Sequence, residues 1–403
     1  MSFTFYLFFS FLFSFTSCFD ESEEIIGEKE MEEEIVKTIS SYANFKNSNE
    51  ETIPIFTMGH ASDIHNFNSN SAQNLSKFLF FFQNENVKKI TNTLVITGDL
   101  SNGYATRSKN NTITEIHHVT QSILKQDIPT LLLVGNHDSN INETAADYTT
   151  TDNSYKQAIN KQDQYNFVIK DVKNKWNLIN ENEEVCYYYK DYPSSKIRII
   201  SLDFIDYPIV PNPEQVDRLK YPGNHILSQK QLDWFYKTLK SIPNDYGLII
   251  AIHSIPGTTN LFGKWSQESD MLLNIINAFK TGTQYSHKWD GGKYPELATN
   301  VDFDFTENGE KEFICWIGGH THRREYIKEH NQLMISTAAL YTQIYKDMSI
   351  NKPLTYRKSG TDTQNSFNII QINRNTKEVV VTVYGAYIDT QGHVTQRTTN
   401  LSY

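Results

Sequence analysis

Residues 129–138 read Pro129-Thr130-Leu131-Leu132-Leu133-Val134-Gly135-Asn136-His137-Asp138. An apolar strand stops at a glycine, and an amide, an imidazole and a carboxylate follow in consecutive positions. Strand ends of this kind deliver polar groups to one rim of an α/β sheet, where ligands bind. Gly135 reads as the hinge at which the backbone leaves the strand. Alone, the tetrapeptide is equally a plain turn, because Gly and Asn are turn residues. What stands before and after it decides.

Upstream, apolar strands at 53–58 and 93–97 alternate with helical periodicity at 71–90 (Leu75, Phe78, Phe82, Val87) and 112–127 (Ile113, Ile116, Thr120, Ile123). That is a β-α-β pattern. Downstream, strands are expected at 185–189, 197–202, 247–252, 313–317, 333–337, 367–372 and 379–384. Asn373-Arg374-Asn375-Thr376-Lys377 links the last two as a hairpin. Ser228-Gln229-Lys230-Gln231 is a capping box opening a helix with Leu232, Phe235 and Leu239, and a further helix is expected at 268–279. There is no internal repeat.

The chain has 403 residues and a formal charge of −10. Residues 20–34 hold nine acids and one lysine, a net of −8, so the remainder carries only −2. No basic nucleic-acid footprint exists at this level, which weighs against a non-specific DNA binder. The three cysteines, Cys18, Cys186 and Cys315, have no paired spacing, so neither a zinc-thiolate site nor a disulfide framework is indicated. Cys186 and Cys315 read as small buried hydrophobes.

Residues 3–17 form an aromatic-rich apolar run that ends in small residues, as a signal peptide does, though without a basic start. Phe15-Thr16-Ser17-Cys18 resembles a loose bacterial lipobox with Cys18 as the lipidated residue. Three readings stand side by side: lipidation at Cys18, simple cleavage, or an uncleaved anchor. The expected organisation is a signal peptide over 1–18, of lipoprotein type if lipidated, an acidic and polar solvated tether over 19–50, and one folded domain over 51–403.

Five polar clusters follow apolar strands: Asp63-Ile64-His65, Gly98-Asp99, Gly135-Asn136-His137-Asp138, His253, and Gly319-His320-Thr321-His322. Each alone is a weak motif, since a lone histidine is usually a satisfied core or surface residue. Five at successive strand ends are not independent accidents. In an extended stretch residues i and i+2 point the same way, so Asp63 with His65, and His320 with His322, can each present two ligands together. Carboxylate oxygen and imidazole nitrogen suit Zn, Mn or Fe rather than a Ca²⁺ cage. A carboxylate between them can bridge two cations roughly 3.5–4 Å apart, a pair that generates hydroxide and clamps a phosphoryl displacement.

The order DxH, GD, GNHD, H, GHxH resembles that of the calcineurin-like metallophosphoesterases over about 53–385. The stretch 227–234, LSQKQLDW, is similar to the family's helix before the fourth motif. The resemblance implies that Asp63, His65 and His322 bind one metal, that Asn136, His253 and His320 bind a second, and that Asp99 bridges both. His137 would face the substrate, and Asp138 would orient His137 or a ligand, or else cap the following turn. One departure bears on metal type. Purple acid phosphatases, which resemble this family, carry a tyrosine three residues after the GD aspartate and a glycine at the His65 position. Asn102 stands at the first of these here and Tyr104 is offset, which argues against a ferric–tyrosinate site.

The fold expected is α/β, a four-layer αββα sandwich of two mixed sheets flanked by helices. The activity expected is that of an exported dimetal phosphoesterase hydrolysing a phosphate mono- or diester by in-line attack of a metal-bridging hydroxide. Its partners would be the phosphoester substrate and, through lipidated Cys18, a membrane. Two alternatives are an envelope binding or scaffold protein without turnover, and a secreted nuclease. The complete ligand set argues against the first, and the near-neutral body against the second. His60 reads as structural, His117-His118 as a solvated helix face, and His225, His287, His330 and His393 as surface or loop residues. The aromatics of 265–295 read as packing more than as a pocket wall.

Overall fold

The computed structural model describes residues 28–43, 55–66, 68–103, 108–141, 154–180, 184–207, 225–257, 270–292, 295–340, 364–385 and 397–403. Residues 1–27, with the signal segment and Cys18, lie outside them, as does His393.

Two six-stranded mixed sheets form the centre. The first contains β1 (Phe56–Ala61), β2 (Thr93–Ile96), β3 (Thr130–Leu132), β12 (Ser366–Asn373), β13 (Glu378–Gly385) and β14 (Thr398–Ser402), in the order β14-β13-β12-β1-β2-β3. The second contains β4 (Tyr188–Tyr192), β5 (Ile197–Leu202), β6 (Gly247–Ile252), β9 (Glu312–Gly318), β10 (Glu325–Glu329) and β11 (Gln332–Ser336), in the order β10-β11-β9-β6-β5-β4. β1, β2 and β3 are mutually parallel, as are β5, β6, β9 and β11, while the outer strands run antiparallel. Parallel order at the centre is what places several strand ends on one rim.

The sheets pack face to face. On β5, Ile197 and Ile199 join the core between the sheets, while Ile200 and Leu202 join a second core under the outer helices. On β6, Ile249 and Ala251 face inward and Leu248, Ile250 and Ile252 outward. A strand buried on both faces must be apolar at every position, which is why these runs are continuous rather than alternating. Leu232, Phe235 and Leu239 of helix Gln229–Lys240 and Leu272, Ile275, Ile276 and Phe279 of helix Asp270–Thr281 cover the outer face of the second sheet. Two phenols stitch the sheets across the core: Tyr188 OH donates to Leu132 O (2.8 Å) and Tyr192 OH to Thr93 Oγ1 (2.7 Å). The architecture is the four-layer α/β sandwich expected. Cys186 and Cys315 are buried and free, as read.

Several details differ from the expectation. The first strand runs to Ala61, not to Met58. The single helix expected over 71–90 is two, Ser69–Phe81 and Glu85–Ile90, because the Asn84 side chain accepts from Asn86 N (3.0 Å) and restarts the chain as a new helix. Strands β10 and β14 lie outside the expected set, as does the hairpin of β7 (Gln284–Trp289) and β8 (Thr299–Asp304). Tyr285 and Trp289 of that hairpin pack against the second core, in keeping with the packing reading.

The largest difference lies in the segment expected as a solvated tether. Residues Glu28–Ala43 form a helix whose Met31, Ile35 and Ile39 are fully buried against the first sheet. Gln371 of β12 donates to Ile39 O (2.9 Å), and Tyr384 of β13 donates to Glu32 Oε1 (2.5 Å). The acidic residues form the wet face of an amphipathic helix. The apolar i, i+4, i+8 stripe, and not the net charge, decides where it sits.

The Ser228 hydroxyl does accept from Gln231 N (3.1 Å), so the cap forms. The other half of the capping box does not. Gln231 turns instead to the end of β5, where it accepts from Asp203 N and donates to Asp203 O, both at 2.8 Å.

Candidate metal centre

The ends of β1, β2 and β3 from one sheet and of β6 and β9 from the other meet on one rim. The loops after β1 and β2 continue side by side beyond the strands: Asp63 N, His65 N and Asn66 N donate to Gly98 O, Asp99 O and Leu100 O at 3.0, 3.0 and 2.9 Å. Within the second sheet, Gly319 N donates to His253 O (2.8 Å); across the sheets, His320 N donates to Asp63 Oδ2 (3.0 Å) and Leu340 N to Ser62 O (2.8 Å). The rim is thus fastened between sheets by backbone donors.

The donor atoms fall into two groups. In one, His322 Nε2 lies 3.2 Å from Asp63 Oδ1 and 3.1 Å from His65 Nε2, and His65 Nε2 lies 3.9 Å from Asp99 Oδ2. In the other, Asn136 Oδ1 lies 3.1 Å from both His253 Nε2 and His320 Nδ1, and His253 Nε2 lies 3.3 Å from Asp99 Oδ2. Asp99 Oδ2 therefore reaches both groups. Asp63, His65, Asp99, Asn136 and His253 are buried, and His320 and His322 are partly so.

The extended i, i+2 geometry expected for the paired ligands is not how they converge. Asp63, His65, Asp99, His320 and His322 all have positive φ, between 44° and 70°. Left-handed backbone at a non-glycine residue costs roughly 1–2 kcal/mol each. Such strain persists where surrounding structure over-determines it, and it concentrates at functional sites. Gly135, at the turn out of the strand, is a close approach, where a Cβ would lie 2.1 Å from Asp99 Oδ1 and 2.2 Å from Asp99 N. A Cβ at Gly319 would lie 2.4 Å from Asp63 Oδ2. Both glycines leave room for a carboxylate of the centre.

The chemistry of this donor set fits a cation. His253 Nδ1 lies 2.6 Å from Thr97 O, an acceptor only, so Nδ1 carries a proton and Nε2 is the nitrogen that faces the centre. Burial drives the His65 and His320 imidazoles down to about 3, with His137 and His253 respectively adding to it, so both are neutral donors of lone pairs. His253 also feels burial, but the Asp99 and Asp63 carboxylates outweigh it and lift the ring to about 9. Asp63 is held down at about 2, because His322 and His253 overcome its own burial. Inward-facing carboxylate and amide oxygens and imidazole nitrogens at 3.1–3.3 Å form a donor set suited to a positive ion.

His137 stands beside this cluster, its ring 4.6 Å from that of His65 and its side chain 15% exposed. His137 N donates to Asp99 Oδ1 (2.9 Å) and Nδ1 to Asn102 O (3.0 Å). Asp138, whose role sequence left open, does not touch the His137 ring. Its carboxylate accepts from Gly135 N (2.8 Å), Leu100 N (2.9 Å) and Ser101 N (3.0 Å), so it ties the loop after β3 to the loop after β2. Burial first, then the neighbouring Asp99 charge, lifts it to about 6.

Other histidines divide. His60 is buried in β1 near Thr97 Oγ1 (3.3 Å), a structural residue as read. His225 is not a surface residue: it is buried, with its ring 5.2 Å from His320 and 4.8 Å from Phe204. Phe204 in turn packs 5.1 Å from His253. No motif marks Phe204 or His225, and only the apolar run around them hinted at burial.

Two mixed sheets joined at a rim of aspartate, asparagine and histidine donors define the metallophosphoesterase class. The chain belongs to the calcineurin-like phosphoesterase family, whose family model matches residues 56–324. No curated protein sequence matches it significantly. Similar solved structures include a dimetal phosphatase from Danio rerio, with 12% identity, a TM-score of 0.49, and coverage of 86% of this chain and 99% of that one. Another is GAP50, the anchor in the inner membrane complex of Plasmodium, with 12% identity, a TM-score of 0.44, and coverage of 86% and 89%. A third is the phosphopantetheinyl hydrolase of Mycobacterium tuberculosis, with 7% identity, a TM-score of 0.37, and coverage of 70% and 89%.

Proposed function

We propose that this protein hydrolyses a phosphate mono- or diester at a dinuclear metal centre, with Asp63, His65 and His322 holding one ion, Asn136, His253 and His320 the other, and Asp99 shared. The observation that carries this reading is the position of Asp99 Oδ2, 3.3 Å from His253 Nε2 in one donor group and 3.9 Å from His65 Nε2 in the other. Two bound Mn, Zn or Fe ions would supply an activated water and neutralise charge at phosphorus. The chain's own residues do the rest. Thr97 O holds His253 in the tautomer that ligates, and Asp138 fixes the two loops that carry Asp99 and Asn136. His137 keeps one proton on Nδ1 toward Asn102 O, so the Nε2 edge is the one that exchanges a proton with the departing oxygen.

The test is hydrolysis of a 4-nitrophenyl phosphate monoester and a bis(4-nitrophenyl) diester by metal-loaded protein, with metal content measured in parallel. Asp99→Asn is expected to lower turnover by about 100-fold or more and to reduce bound metal. Full activity in that variant would remove Asp99 from the bridging position. We further propose that the chain is exported and that Cys18 anchors it to a membrane. Lipid labelling of the wild type and of Cys18→Ala, with cell fractionation, tests this; equal labelling of both proteins would refute the anchor.

A further inference from the structure

Helix Lys109–Leu124 contains no ligand, yet one flank of it reaches three of the site loops. Thr112 Oγ1 donates to Asn140 Oδ1 (3.0 Å) in the loop after β3. Glu115 Oε2 accepts from Asn102 N (3.1 Å) in the loop after β2. His118 Nδ1 accepts from Asn66 Nδ2 (3.0 Å) in the loop after β1, and the same amide donates to Glu115 O (3.3 Å). Residues 112, 115 and 118 recur at helical spacing, while Ile116, Val119 and Ile123 bury the other flank.

The middle contact continues into the centre. Asn102 is held through both of its backbone groups, which belong to successive peptide units: its N–H by the Glu115 carboxylate, and its C=O by His137 Nδ1–H (3.0 Å). A charged acceptor on the N–H fixes the loop on which that carbonyl stands, and charge-assisted bonds are about twice as strong as neutral ones. A backbone carbonyl can only accept, so this bond fixes which ring nitrogen of His137 carries the permanent proton. We infer that Glu115 is a positioning residue for His137, acting through the backbone of Asn102 to hold the imidazole with Nε2 toward the substrate. The inference rests on the proposed role of His137 in assisting the leaving oxygen, and it assigns the support of that ring to a side chain outside the family motifs.

Glu115 should matter in proportion to how much the reaction needs His137. A nitrophenolate departs without a proton; a phenolate or alkoxide needs one. The experiment compares Glu115→Ala and Glu115→Gln with the wild type, as full-length Mn-loaded protein, on 4-nitrophenyl and phenyl esters. Glu115→Ala is expected to keep its metals and to leave KM within about twofold. It should lose no more than about threefold in kcat on the nitrophenyl ester and about tenfold or more on the phenyl ester. Glu115→Gln retains a side-chain oxygen for Asn102 N and should stay within about twofold of wild type on both. In a His137→Gln background the Glu115→Ala effect should vanish. An equal loss on both esters, or a loss that persists without His137, overturns the inference.

A second readout does not depend on turnover. The ring-nitrogen chemical shifts of His137 should report an Nδ1–H tautomer in the wild type and a mixture in Glu115→Ala; unchanged shifts overturn the inference. If the wild type hydrolysed no phosphoester, the functional reading would fail while the spectroscopic comparison still decided the role of Glu115. Should Glu115→Ala not fold, Glu115→Asp, which withdraws the carboxylate by one methylene, carries the same comparisons.

Discussion

His65 Nε2 and His322 Nε2 stand 3.1 Å apart, although the residues are 257 positions apart in sequence. Both Nε2 edges turn toward the Asp63 and Asp99 carboxylates rather than toward solvent. A buried cluster of this kind is stabilised by a cation between its members, and folding and metal binding are therefore linked. Chelation should lower the melting temperature by several degrees, and titrating Mn²⁺ back should restore it in a concentration-dependent way. The stabilisation expected is about 3 kcal/mol at 100 times Kd. A melting temperature indifferent to chelator and to metal would contradict a metal site here.

Gly135→Ala tests the close approach. Its Cβ would overlap the Asp99 carboxylate and backbone, with contacts of 2.1 and 2.2 Å. We expect a loss of about 3 kcal/mol in stability together with weakened metal binding. Gly292→Ala is the control: it has positive φ and nothing within 4 Å, so only backbone strain of about 1 kcal/mol should appear, with metal content unchanged. Equal and small effects at both positions would show that the rim yields easily.

Ile35→Ala separates a packed helix from a solvated tether. Ile35 is fully buried against the first sheet, so the truncation should cost about 2–4 kcal/mol by denaturant unfolding. Glu30→Ala on the wet face should change stability by less than about 0.5 kcal/mol. An Ile35→Ala protein as stable as wild type would return the segment to the tether reading.

The pair Asp203 and Asp206 gives a pH signature away from the metal centre. Lys161 Nζ bonds Asp203 at 2.7 and 3.0 Å, and Asp206 is left with Ser228 and Gln231. Burial, and then the Asp203 charge, raises Asp206 from 3.8 to about 6. The folded state therefore binds this proton more tightly than the unfolded chain does. The stability it contributes is complete below the ordinary value of 3.8 and is lost as pH rises through about 6. Asp206→Asn does not titrate, so the difference in stability between variant and wild type should shift toward the variant between pH 4 and 7, by on the order of 1–3 kcal/mol. A difference that stayed flat across that interval would contradict the raised value.

Much was legible in the sequence because strand ends and polar clusters are local. Apolar runs stopping at Gly98, Gly135 and Gly319 announce their turns, with Asp99, Asn136, His320 and His322 just beyond them, and His253 directly follows the apolar run of β6. The Asn373–Lys377 hairpin was legible too, since Asn373 Oδ1 accepts from Asn375 N (3.1 Å) and Thr376 N (3.3 Å) within its own turn. The helix over 28–43 is not legible from composition, which counts charges without regard to face, while burial depends on the apolar stripe.

By itself the sequence determined the alternation of strands and helices, the order of the five clusters and the donor types they offer. Only the tertiary structure decided how they meet. The left-handed backbone at Asp63, His65, Asp99, His320 and His322 is imposed by neighbouring loops and not by local preference, which for these residues runs the other way. The burial of His225, the grip of Gln231 on Asp203 and the bond from Asn102 N to Glu115 all join residues from different elements. Their partners are chosen by sheet order and helix placement, which are global outcomes of packing two apolar-faced sheets together.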